Sequence, residues 1–296
     1  SQPKLTFVLQ HRFESVAGGR VASPEGYSEA FFRERFFEVF PTLEIYSRLA
    51  NSPAPGPIRL SPEIAFVSLG DWQGLWQFIK VLPRLSLKPL LHGSGPLLIQ
   101  VPSPLAFWAA LICKSAGRKY FCQVISDPHD FLSAGANPHP LRGLLRAAGE
   151  TLLKMICKGS QGCCYVSEPL RKRYPCPMFE TVISDVDLPS EAFSQAPRKF
   201  SIQPVPLKLV SVGLSDPCKA HDCLLRALHQ VRAAGLDIEL RLLGQGSQRA
   251  HLERLAHQLG LASSVHFSGW LQADSFRSHL DQADLYICAS RAEGMS

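Results

Sequence analysis

The sequence lacks any apolar run long enough to cross a membrane. Its most apolar stretches, Lys4–Gln10 and Pro104–Cys113, fall far short of the roughly 20 residues that a transmembrane helix needs. Neither stretch has the pattern of a secretory signal peptide. These absences predict a soluble, cytoplasmic protein that is at most attached to the inner surface of a membrane.

Paired cysteines are also missing. The nine cysteines are odd in number and scattered, and none belongs to a Cys-x-x-Cys pair or accompanies a histidine cluster. Zinc sites and disulfide frameworks need such regular spacing. The pattern therefore favours buried or idle thiols in a reducing compartment, and we predict no bound metal.

No heptad array is sustained, and the 21 glycines and 23 prolines follow no fixed period. Coiled-coil and collagen-like structures are thereby excluded. With 46% hydrophobic and 19% charged residues, the composition is that of a globular protein rather than a disordered one. Since domains usually have about 100–200 residues, the 296-residue length suggests two of them.

Strand-like and helix-like segments alternate through the first half of the chain. This alternation predicts a doubly wound, parallel α/β domain over residues 1–195. The predicted strands are Phe7–Leu9, Leu43–Ser47, Ile64–Val67, Leu97–Val101, Tyr120–Ile125 and Gly162–Ser167. The predicted helices are Tyr27–Phe40, Pro104–Ser115, Leu141–Cys157 and Pro169–Tyr174.

A second alternating series follows a proline-rich segment, Pro189–Pro206, that we interpret as a linker. It predicts a second α/β domain over residues 196–296. Its strands are Leu207–Gly213, Ile238–Leu243, Val265–Phe267 and Leu285–Ala289, and its helices are His221–Ala234, Gln248–Leu259 and Ser275–Gln282. Two such domains should face a cleft at the carboxyl ends of their strands, where ligands bind in open α/β sheets.

Two turns in the second domain are candidate phosphate sites. Gly213 ends a strand, and Lys219 lies just ahead of a helix. A glycine allows close backbone approach, and an ammonium group at a helix N-terminus favours an anion. A solvated lysine is the alternative. Gly244 and Gly246 also join a strand to a helix, but without the third glycine of a dinucleotide motif a purely structural turn is the favoured interpretation.

The last residues form an acidic loop directly after a strand, and this loop completes an ordered series of motifs. The series is Val212-Gly213 followed by Lys219, Leu243-Gly244-x-Gly246 with Leu252-Glu253, Val265-x-Phe267-x-Gly269, Ala283-Asp284-Leu285, and Ser290-x-x-Glu293-Gly294. In this order the motifs resemble the donor domain of family 4 retaining glycosyltransferases of the GT-B fold. The resemblance extends more loosely into the first domain, through Tyr165–Glu168 and Val182–Leu188.

The resemblance implies transfer of a sugar from a nucleotide-sugar donor to an acceptor hydroxyl, with retention at the anomeric carbon. It implies that Lys219 binds the donor diphosphate without a metal or other cofactor. It also implies that Glu293 lies beside the donor sugar and that Gly294 and Ser290 belong to the same loop. Trp270 and Leu271, after Gly269, match the segment along which the base packs, although half-buried packing is the alternative for Trp270.

The acceptor side of the same family suggests candidates in the first domain. Asp127 and His129 follow a predicted strand, where the family often has a histidine near the reacting sugar. His129 is the first candidate and Asp127 its rival, with an ordinary exposed turn as the alternative. Gly18 and Gly19 match the family's glycine-rich loop after the first strand, but a plain flexible loop would have the same sequence.

The chain departs from the family pattern in two ways. Leu214 occupies the position of a common second diphosphate ligand, an arginine, so another basic residue must supply that charge or the donor binds less tightly. The chain also ends three residues after Glu293, before the family's second glutamate, so we expect a fragment of a longer protein with an unfinished second domain. Two other functions stay open: a non-catalytic nucleotide-sugar-binding protein, and a sugar-nucleotide epimerase of the GT-B fold.

Basic residues are concentrated between residues 80 and 173, which hold 13 Lys/Arg against 4 Asp/Glu. The helix over Leu141–Lys158 interleaves some of them with leucines, a pattern that suits an anionic membrane surface, and the family often uses glycan or lipid-linked acceptors. A core-facing helix with a solvated basic face is the alternative. No nucleic-acid recognition motif is present, so we predict no nucleic-acid partner.

Overall fold

The computed structural model of the chain divides into two compact units, each with its own β-sheet. The first comprises the described parts of residues 1–127 and 148–188, and the second those of 128–147 and 189–294. The predicted domain boundary at 195 and 196, and most of the predicted linker, lie outside the described residues. The described residues are 3–16, 20–23, 27, 29–51, 58–61, 63–72, 74–84, 90–91, 93, 95–184, 206–271 and 273–292.

The first unit is built on a mainly parallel sheet. Its strands are β1 (Lys4–Val16), β2 (Arg20–Ser23), β3 (Thr42–Asn51), β4 (Ile58–Arg59), β5 (Ile64–Ser68), β6 (Leu97–Val101), β7 (Phe121–Val124), β8 (Cys163–Tyr165) and β9 (Glu180–Val182). The parallel order is β5-β3-β1-β6-β7-β8-β9. Strands β2 and β4 add an antiparallel extension at the far end of β1, which the alternating pattern did not indicate.

Helices connect these strands. They are α1 (Glu29–Phe32), α2 (Gly74–Val81), α3 (Pro104–Ser115), α4 (Pro128–Phe131), α5 (Arg142–Gly159) and α6 (Glu168–Arg173). Residues 128–147, which hold α4 and the start of α5, belong to the second unit. The helix predicted over Tyr27–Phe40 is shorter than expected, because α1 passes into a wide π-helical turn at Arg33–Phe37. Crowded aromatic side chains lose rotamer freedom in a helix, which disfavours a long α-helix here.

The predicted limits of α3 are confirmed. The Oγ of Ser103 accepts the N–H of Ala106 at 3.0 Å, and Pro104 occupies the first helical turn, where its missing N–H has no cost. Its apolar face packs under the sheet. The buried residues of this face are Leu105, Ala106, Ala109, Ala110 and Cys113.

The second unit contains a parallel sheet in the order β12-β11-β10-β13. Its strands are β10 (Leu207–Val212), β11 (Ile238–Leu243), β12 (Val265–Gly269) and β13 (Leu285–Tyr286), and its later helices are α7 (His221–Ala233), α8 (Arg249–Gln258) and α9 (Ala273–Gln282). Leucines of α7 and α8, among them Leu225 and Leu252, pack on Leu240 of β11 and bury one face of the sheet. The alternating α/β class predicted from the sequence is therefore confirmed, although β13 ends three residues earlier than predicted.

Candidate functional site

Three glycines lie at the carboxyl ends of neighbouring strands in the second unit. Gly213 follows β10, Gly244 follows β11 and Gly269 ends β12, with φ angles of +147°, +130° and +71°. Residues with a side chain rarely adopt such angles. The N–H of Gly213 donates to the carbonyl of Leu243 at 2.9 Å, and that of Gly244 to the carbonyl of Gly269 at 2.8 Å. Glycine thus allows the three strand ends to meet in direct backbone contact.

The Gly-x-Gly turn after β11 packs on the turn after β10. A Cβ on Gly244 would lie 2.2 Å from the carbonyl oxygen of Gly213, and one on Gly246 would lie 2.5 Å from the backbone nitrogen of Ser215. The N–H of Ser215 donates in turn to the carbonyl of Gln245 at 2.9 Å. Both glycines therefore have a packing role, in line with the structural interpretation favoured from the sequence.

Lys219 ends a short 3-10 turn, Pro217–Lys219, between β10 and α7. Its side chain crosses Gly213, since a Cβ on that glycine would lie 2.9 Å from Lys219 Cε. The turn is held from both loops: the N–H of Lys219 donates to the carbonyl of Asp216 at 3.0 Å, and the Oγ of Ser247 donates to the Asp216 carboxylate at 2.6 Å. The structure therefore brings the predicted residues Gly213, Gly244 and Lys219 together.

Helix α7 begins immediately after this turn. Its first residue, His221, is buried, and among the described residues its Nδ1 has no hydrogen-bond partner. Burial and the positive charge of Lys219 lower the pKa of His221, against the opposing effect of Asp222. The His221 imidazole and the N-terminus of α7 thus adjoin the lysine, and such helix ends favour anions.

Arg291, to which the sequence assigned no role, reaches the same turn from the loop after β13. Its backbone N–H donates to the carbonyl of Cys218 at 2.7 Å, and its guanidinium donates to the carbonyl of Pro217 at 2.7 Å. The guanidinium also forms two hydrogen bonds of 3.2 Å with the carboxylate of Asp222. Burial acts to raise the pKa of Asp222, but the Arg291 hydrogen bonds hold it below its ordinary value.

A second arginine lies at the end of β12. A Cβ on Gly269 would lie 3.1 Å from Nη1 of Arg249, whose Nε donates to Glu253 at 2.9 Å and whose Nη2 donates to the carbonyl of Phe267 at 3.1 Å. Leu214 itself is 43% exposed and carries no charge. Two arginines, Arg249 and Arg291, therefore lie with Lys219 at this edge of the sheet, each paired with a carboxylate. The spacing of residues in the sequence could not reveal this arrangement.

The remaining residues predicted for the donor side are only partly described. Trp270 is 54% exposed, and Leu271 beside it is half-buried. Ser290 is half-buried, and its Oγ accepts the thiol of Cys288 at 3.5 Å. Glu293 and Gly294, and Gly18 and Gly19 of the predicted acceptor loop, lie outside the described residues. The roles assigned to these residues stay predictions.

Asp127 and His129 differ in their surroundings. Asp127, after β7, is 5% exposed; one carboxylate oxygen accepts the hydroxyl of Tyr174 at 2.5 Å and the other pairs with Arg173. His129 lies on the short helix α4 and is half-buried. Two partners anchor the Asp127 carboxylate in place, and this arrangement suits a structural role better than that of a nucleophile.

A chain of polar side chains in the first unit was not predicted. His11 Nε2 lies 3.0 Å from the Oγ of Ser23, and the His11 ring meets the ring of Tyr27 edge to face at 4.9 Å. The side-chain amide of Gln100 donates to the Tyr27 hydroxyl at 3.0 Å and to Gln123 at 3.4 Å. Burial lowers the pKa of His11 to about 4. Sequence periodicity gives no signal for such a chain, because its members come from four separate segments.

Within the described ranges, no group of three or more His, Cys, Asp or Glu side chains is arranged to hold a metal ion. Within the same ranges, no helix combines the length and the apolar character that a membrane crossing requires.

The strand-end glycines, Lys219 and Arg291 all belong to a segment with known relatives. Residues 206–296 match the family described as Glycosyl transferases group 1. This segment is a group 1 glycosyltransferase domain. The predicted resemblance to glycosyltransferases is thereby confirmed from the part of the sequence that carried it.

Similarity to curated proteins extends over more of the chain than this domain. Protein CapJ from Staphylococcus aureus is 25% identical over 282 residues, which cover 91% of this chain and 68% of CapJ. A GDP-mannose-dependent alpha-(1-6)-phosphatidylinositol monomannoside mannosyltransferase from Mycolicibacterium smegmatis is 25% identical over 204 residues, covering 65% of this chain and 50% of the relative. The chain thus spans half the length of that mannosyltransferase.

Solved structures share the fold of this chain at 14% sequence identity. Sucrose-phosphate synthase from Thermosynechococcus elongatus gives a TM-score of 0.69, covering 100% of this chain and 77% of its own. WaaG, a glycosyltransferase involved in lipopolysaccharide biosynthesis, gives a TM-score of 0.59 over 97% of this chain and 75% of WaaG. HepE from Anabaena, solved with UDP and glucose, gives a TM-score of 0.58 over 98% of this chain and 74% of HepE. The fold is GT-B, and with the family match and the named relatives it identifies a glycosyl-transferring enzyme.

Proposed function

We propose that the chain transfers a sugar from a nucleotide-sugar donor to an acceptor hydroxyl, with retention of the anomeric configuration. The observation that carries the proposal is the side chain of Lys219, which lies over Gly213 where β10 leads into α7. An ammonium group beside a helix N-terminus favours a phosphate. A nucleoside diphosphate is such a ligand, and it gains negative charge as it leaves the sugar.

The donor requires no metal ion in this proposal. Lys219 and the first turn of α7 supply positive charge where the diphosphate would lie, and Arg249 places a guanidinium at the end of β12, two strands from β10. These fixed groups would stabilise the leaving diphosphate directly. We therefore expect donor binding to be unchanged by a chelator of divalent cations.

Retention is assigned to a front-face route in which the leaving phosphate takes the proton of the acceptor. A double displacement would need a carboxylate nucleophile, and both oxygens of Asp127 are already engaged by Tyr174 and Arg173. His129 is the preferred candidate for a group near the reacting sugar, and Asp127 then serves to anchor Tyr174 and Arg173.

A glycan or lipid-linked acceptor is proposed for the first unit. The names of the relatives support this class: one acts on a phosphatidylinositol monomannoside, and another is a putative colanic acid biosynthesis glycosyltransferase, WcaL, from Escherichia coli. WcaL is 26% identical over 115 residues, covering 39% of this chain and 28% of WcaL. A role in polysaccharide biosynthesis follows from the same names.

Peripheral contact with the cytoplasmic face of an anionic membrane is proposed through helix α5. The helix exposes Leu144 (68%) and Met155 (37%) together with Lys154 and Lys158, whereas Arg146 is half-buried. Apolar side chains set among basic ones suit an anionic bilayer surface. Vesicles containing about one third phosphatidylglycerol should retain the protein, whereas Leu144→Ser should release it; equal retention by neutral vesicles would contradict the proposal.

Calorimetry with UDP-glucose, GDP-mannose and ADP-glucose tests the donor site. Lys219→Gln should weaken binding of the preferred donor about tenfold or more, because a hydrogen bond to a charged group contributes about 1.5–3 kcal/mol. Lys208→Gln is the matched control, since Lys208 is an exposed lysine at the opposite end of β10. Equal affinity in Lys219→Gln and wild type, or no binding by wild type, would contradict the proposal.

A product assay with the bound donor separates the remaining functions. Transfer to a glycan or lipid-linked acceptor, with retained configuration, is the expected result. Conversion of the donor without any acceptor would instead identify a sugar-nucleotide epimerase. Tight donor binding with neither reaction would favour a non-catalytic nucleotide-sugar-binding protein.

A further inference from the structure

Arg291 joins the loop after β13 to both sides of Lys219. On one side its guanidinium donates to the carbonyl of Pro217 and its backbone N–H to that of Cys218, at 2.7 Å each; both residues directly precede the lysine. On the other side it binds Asp222, three residues beyond the lysine, through two hydrogen bonds of 3.2 Å. One side chain thus fixes the polypeptide before and after the predicted diphosphate ligand.

We infer that Arg291 is a positioning residue that fixes the Pro217–Lys219 turn and thereby directs the Lys219 ammonium toward the donor diphosphate. This inference rests on the proposed function, which supplies the diphosphate. Arg291 itself does not need to touch the donor.

The turn needs support from outside because its backbone is unfavourable. Ala220, the residue after Lys219, has a φ of +53°, a left-handed conformation that a residue with a Cβ rarely adopts. A 3-10 turn of three residues contributes few hydrogen bonds of its own. The carbonyl of Pro217, which the Arg291 guanidinium binds, lies within this turn, so the Arg291 side chain supports the turn from a distant part of the chain.

The charge of Arg291 is balanced by its partner. Its guanidinium pairs with the Asp222 carboxylate, and the two side chains are 27% and 37% exposed. Removing Arg291 should therefore weaken donor binding through the misplaced Lys219 rather than through a lost charge. Arg291→Lys would therefore keep the positive charge, but a lysine lacks the planar guanidinium whose several N–H groups bind a carboxylate and a carbonyl at the same time.

The same domain offers a matched control. Arg232, at the other end of α7, pairs with Asp237 at 3.0 Å and donates to the carbonyl of Ile238 at 2.6 Å. This arginine has the same kinds of partner but lies about 15 Å along the helix from Asp222, given a rise of about 1.5 Å per residue. Arg232→Gln therefore removes the same kinds of hydrogen bond from α7 without affecting the Pro217–Lys219 turn.

Calorimetry with UDP, GDP and ADP on the full chain tests the inference. For the diphosphate that wild type binds best, Arg291→Gln and Arg291→Lys should each raise the Kd about five- to tenfold, and Arg232→Gln less than twofold. In a chain that already carries Lys219→Gln, Arg291→Gln should raise the Kd by less than a further twofold, because there is then no lysine side chain for Arg291 to position. Asp222→Asn leaves the bonds of Arg291 to the carbonyls of Pro217 and Cys218 and should raise the Kd two- to threefold. This variant replaces Arg291→Gln in the test if Arg291→Gln does not fold.

The outcomes separate this inference from the proposed function. If Lys219→Gln weakens binding but Arg291→Gln behaves like Arg232→Gln, Arg291 has no positioning role and the donor site stands. If Arg291→Lys binds as wild type, or if the Arg291 and Lys219 effects multiply fully, Arg291 acts by its charge and the inference is wrong. If wild type binds no nucleoside diphosphate, or Lys219→Gln changes nothing, both the proposed function and the inference are wrong.

Discussion

The side chain of Lys219 crosses Gly213 so closely that a Cβ on the glycine would lie 2.9 Å from Lys219 Cε and 3.1 Å from Cδ. The glycine also has a φ of +147°, which residues with a side chain rarely adopt. Substitution of Gly213 would therefore both strain the backbone and push against the lysine side chain. The path of the lysine over the end of β10 therefore depends on glycine at this position.

Gly213→Ala should displace the lysine rather than unfold the domain, because the clash is with the flexible part of a side chain. We expect donor affinity to fall by a factor similar to that caused by Lys219→Gln, measured by calorimetry. Gly260→Ala is the control, since Gly260 also has a positive φ, +69°, but would meet nothing within 4 Å. Unchanged affinity in Gly213→Ala would show that the lysine does not depend on this contact.

Gly244→Ala should instead lower stability. Its Cβ would lie 2.2 Å from the backbone carbonyl of Gly213, which cannot rotate away as a side chain can. We expect a free energy of unfolding about 1–3 kcal/mol below that of Gly260→Ala, from urea unfolding, because overpacking has costs of this order. If the two variants are equally stable, the backbone contact between the strand ends is not tight.

The stability of the chain should fall between pH 6.5 and pH 4 on account of His11. Burial and the nearby Arg48 guanidinium lower the pKa of His11 to about 4 from 6.5. The unfolded chain binds the proton first, so stability is full above about pH 6.5 and declines by about 1.4 kcal/mol per pH unit until about pH 4.

Urea unfolding of wild type and His11→Gln at several pH values measures this contribution. The difference between the two free energies of unfolding should change with pH in that window and become constant above it. A difference that does not vary with pH would mean that His11 is protonated equally in the folded and unfolded chain.

Tyr174→Phe should lower the free energy of unfolding more than Tyr120→Phe does. Both tyrosines are buried, but the Tyr174 hydroxyl donates to the Asp127 carboxylate at 2.5 Å, whereas that of Tyr120 donates to the neutral carbonyl of Ile156 at 3.1 Å. Hydrogen bonds to charged groups contribute about 1.5–3 kcal/mol and neutral ones about 0.5–1.5 kcal/mol. Urea unfolding of the two variants checks the order, and the reverse order would show that Asp127 is not anchored by Tyr174.

Thiol labelling should distinguish three groups of cysteines. The exposed ones are Cys223 and Cys288, the half-buried ones are Cys164 and Cys218, and the buried ones are Cys113, Cys122, Cys157, Cys163 and Cys176. Burial also raises the pKa of Cys113 to about 11, which disfavours its reactive thiolate. An aromatic disulfide reagent should label two thiols rapidly, a further two slowly and the rest only in denaturant, and Cys223→Ser should remove one rapid equivalent. Rapid labelling of more than four would contradict the described core.

Much of the fold could be predicted from local patterns. The limits of α3 and β11 match the sequence, because Ser103 caps α3 and the apolar residues of β11 alternate with Glu239 and Arg241, as expected of a strand. The antiparallel extension of β1 and the π-helical turn at Arg33–Phe37 could not be predicted, since both depend on which segments meet in the folded chain.

The sequence by itself determined the alternating α/β organisation and the residue types at the strand ends, because hydrophobic periodicity and the conformational freedom of glycine are local properties. Only the tertiary structure decided which charges gather around Lys219. Arg291 is 72 residues from Lys219 in the chain and comes within hydrogen-bond reach of the preceding residue Pro217 because β13 pairs with β10. The pairing of Asp127 with Tyr174, across 47 residues, has the same cause: contacts between distant segments depend on the order of strands in a sheet, which no local pattern encodes.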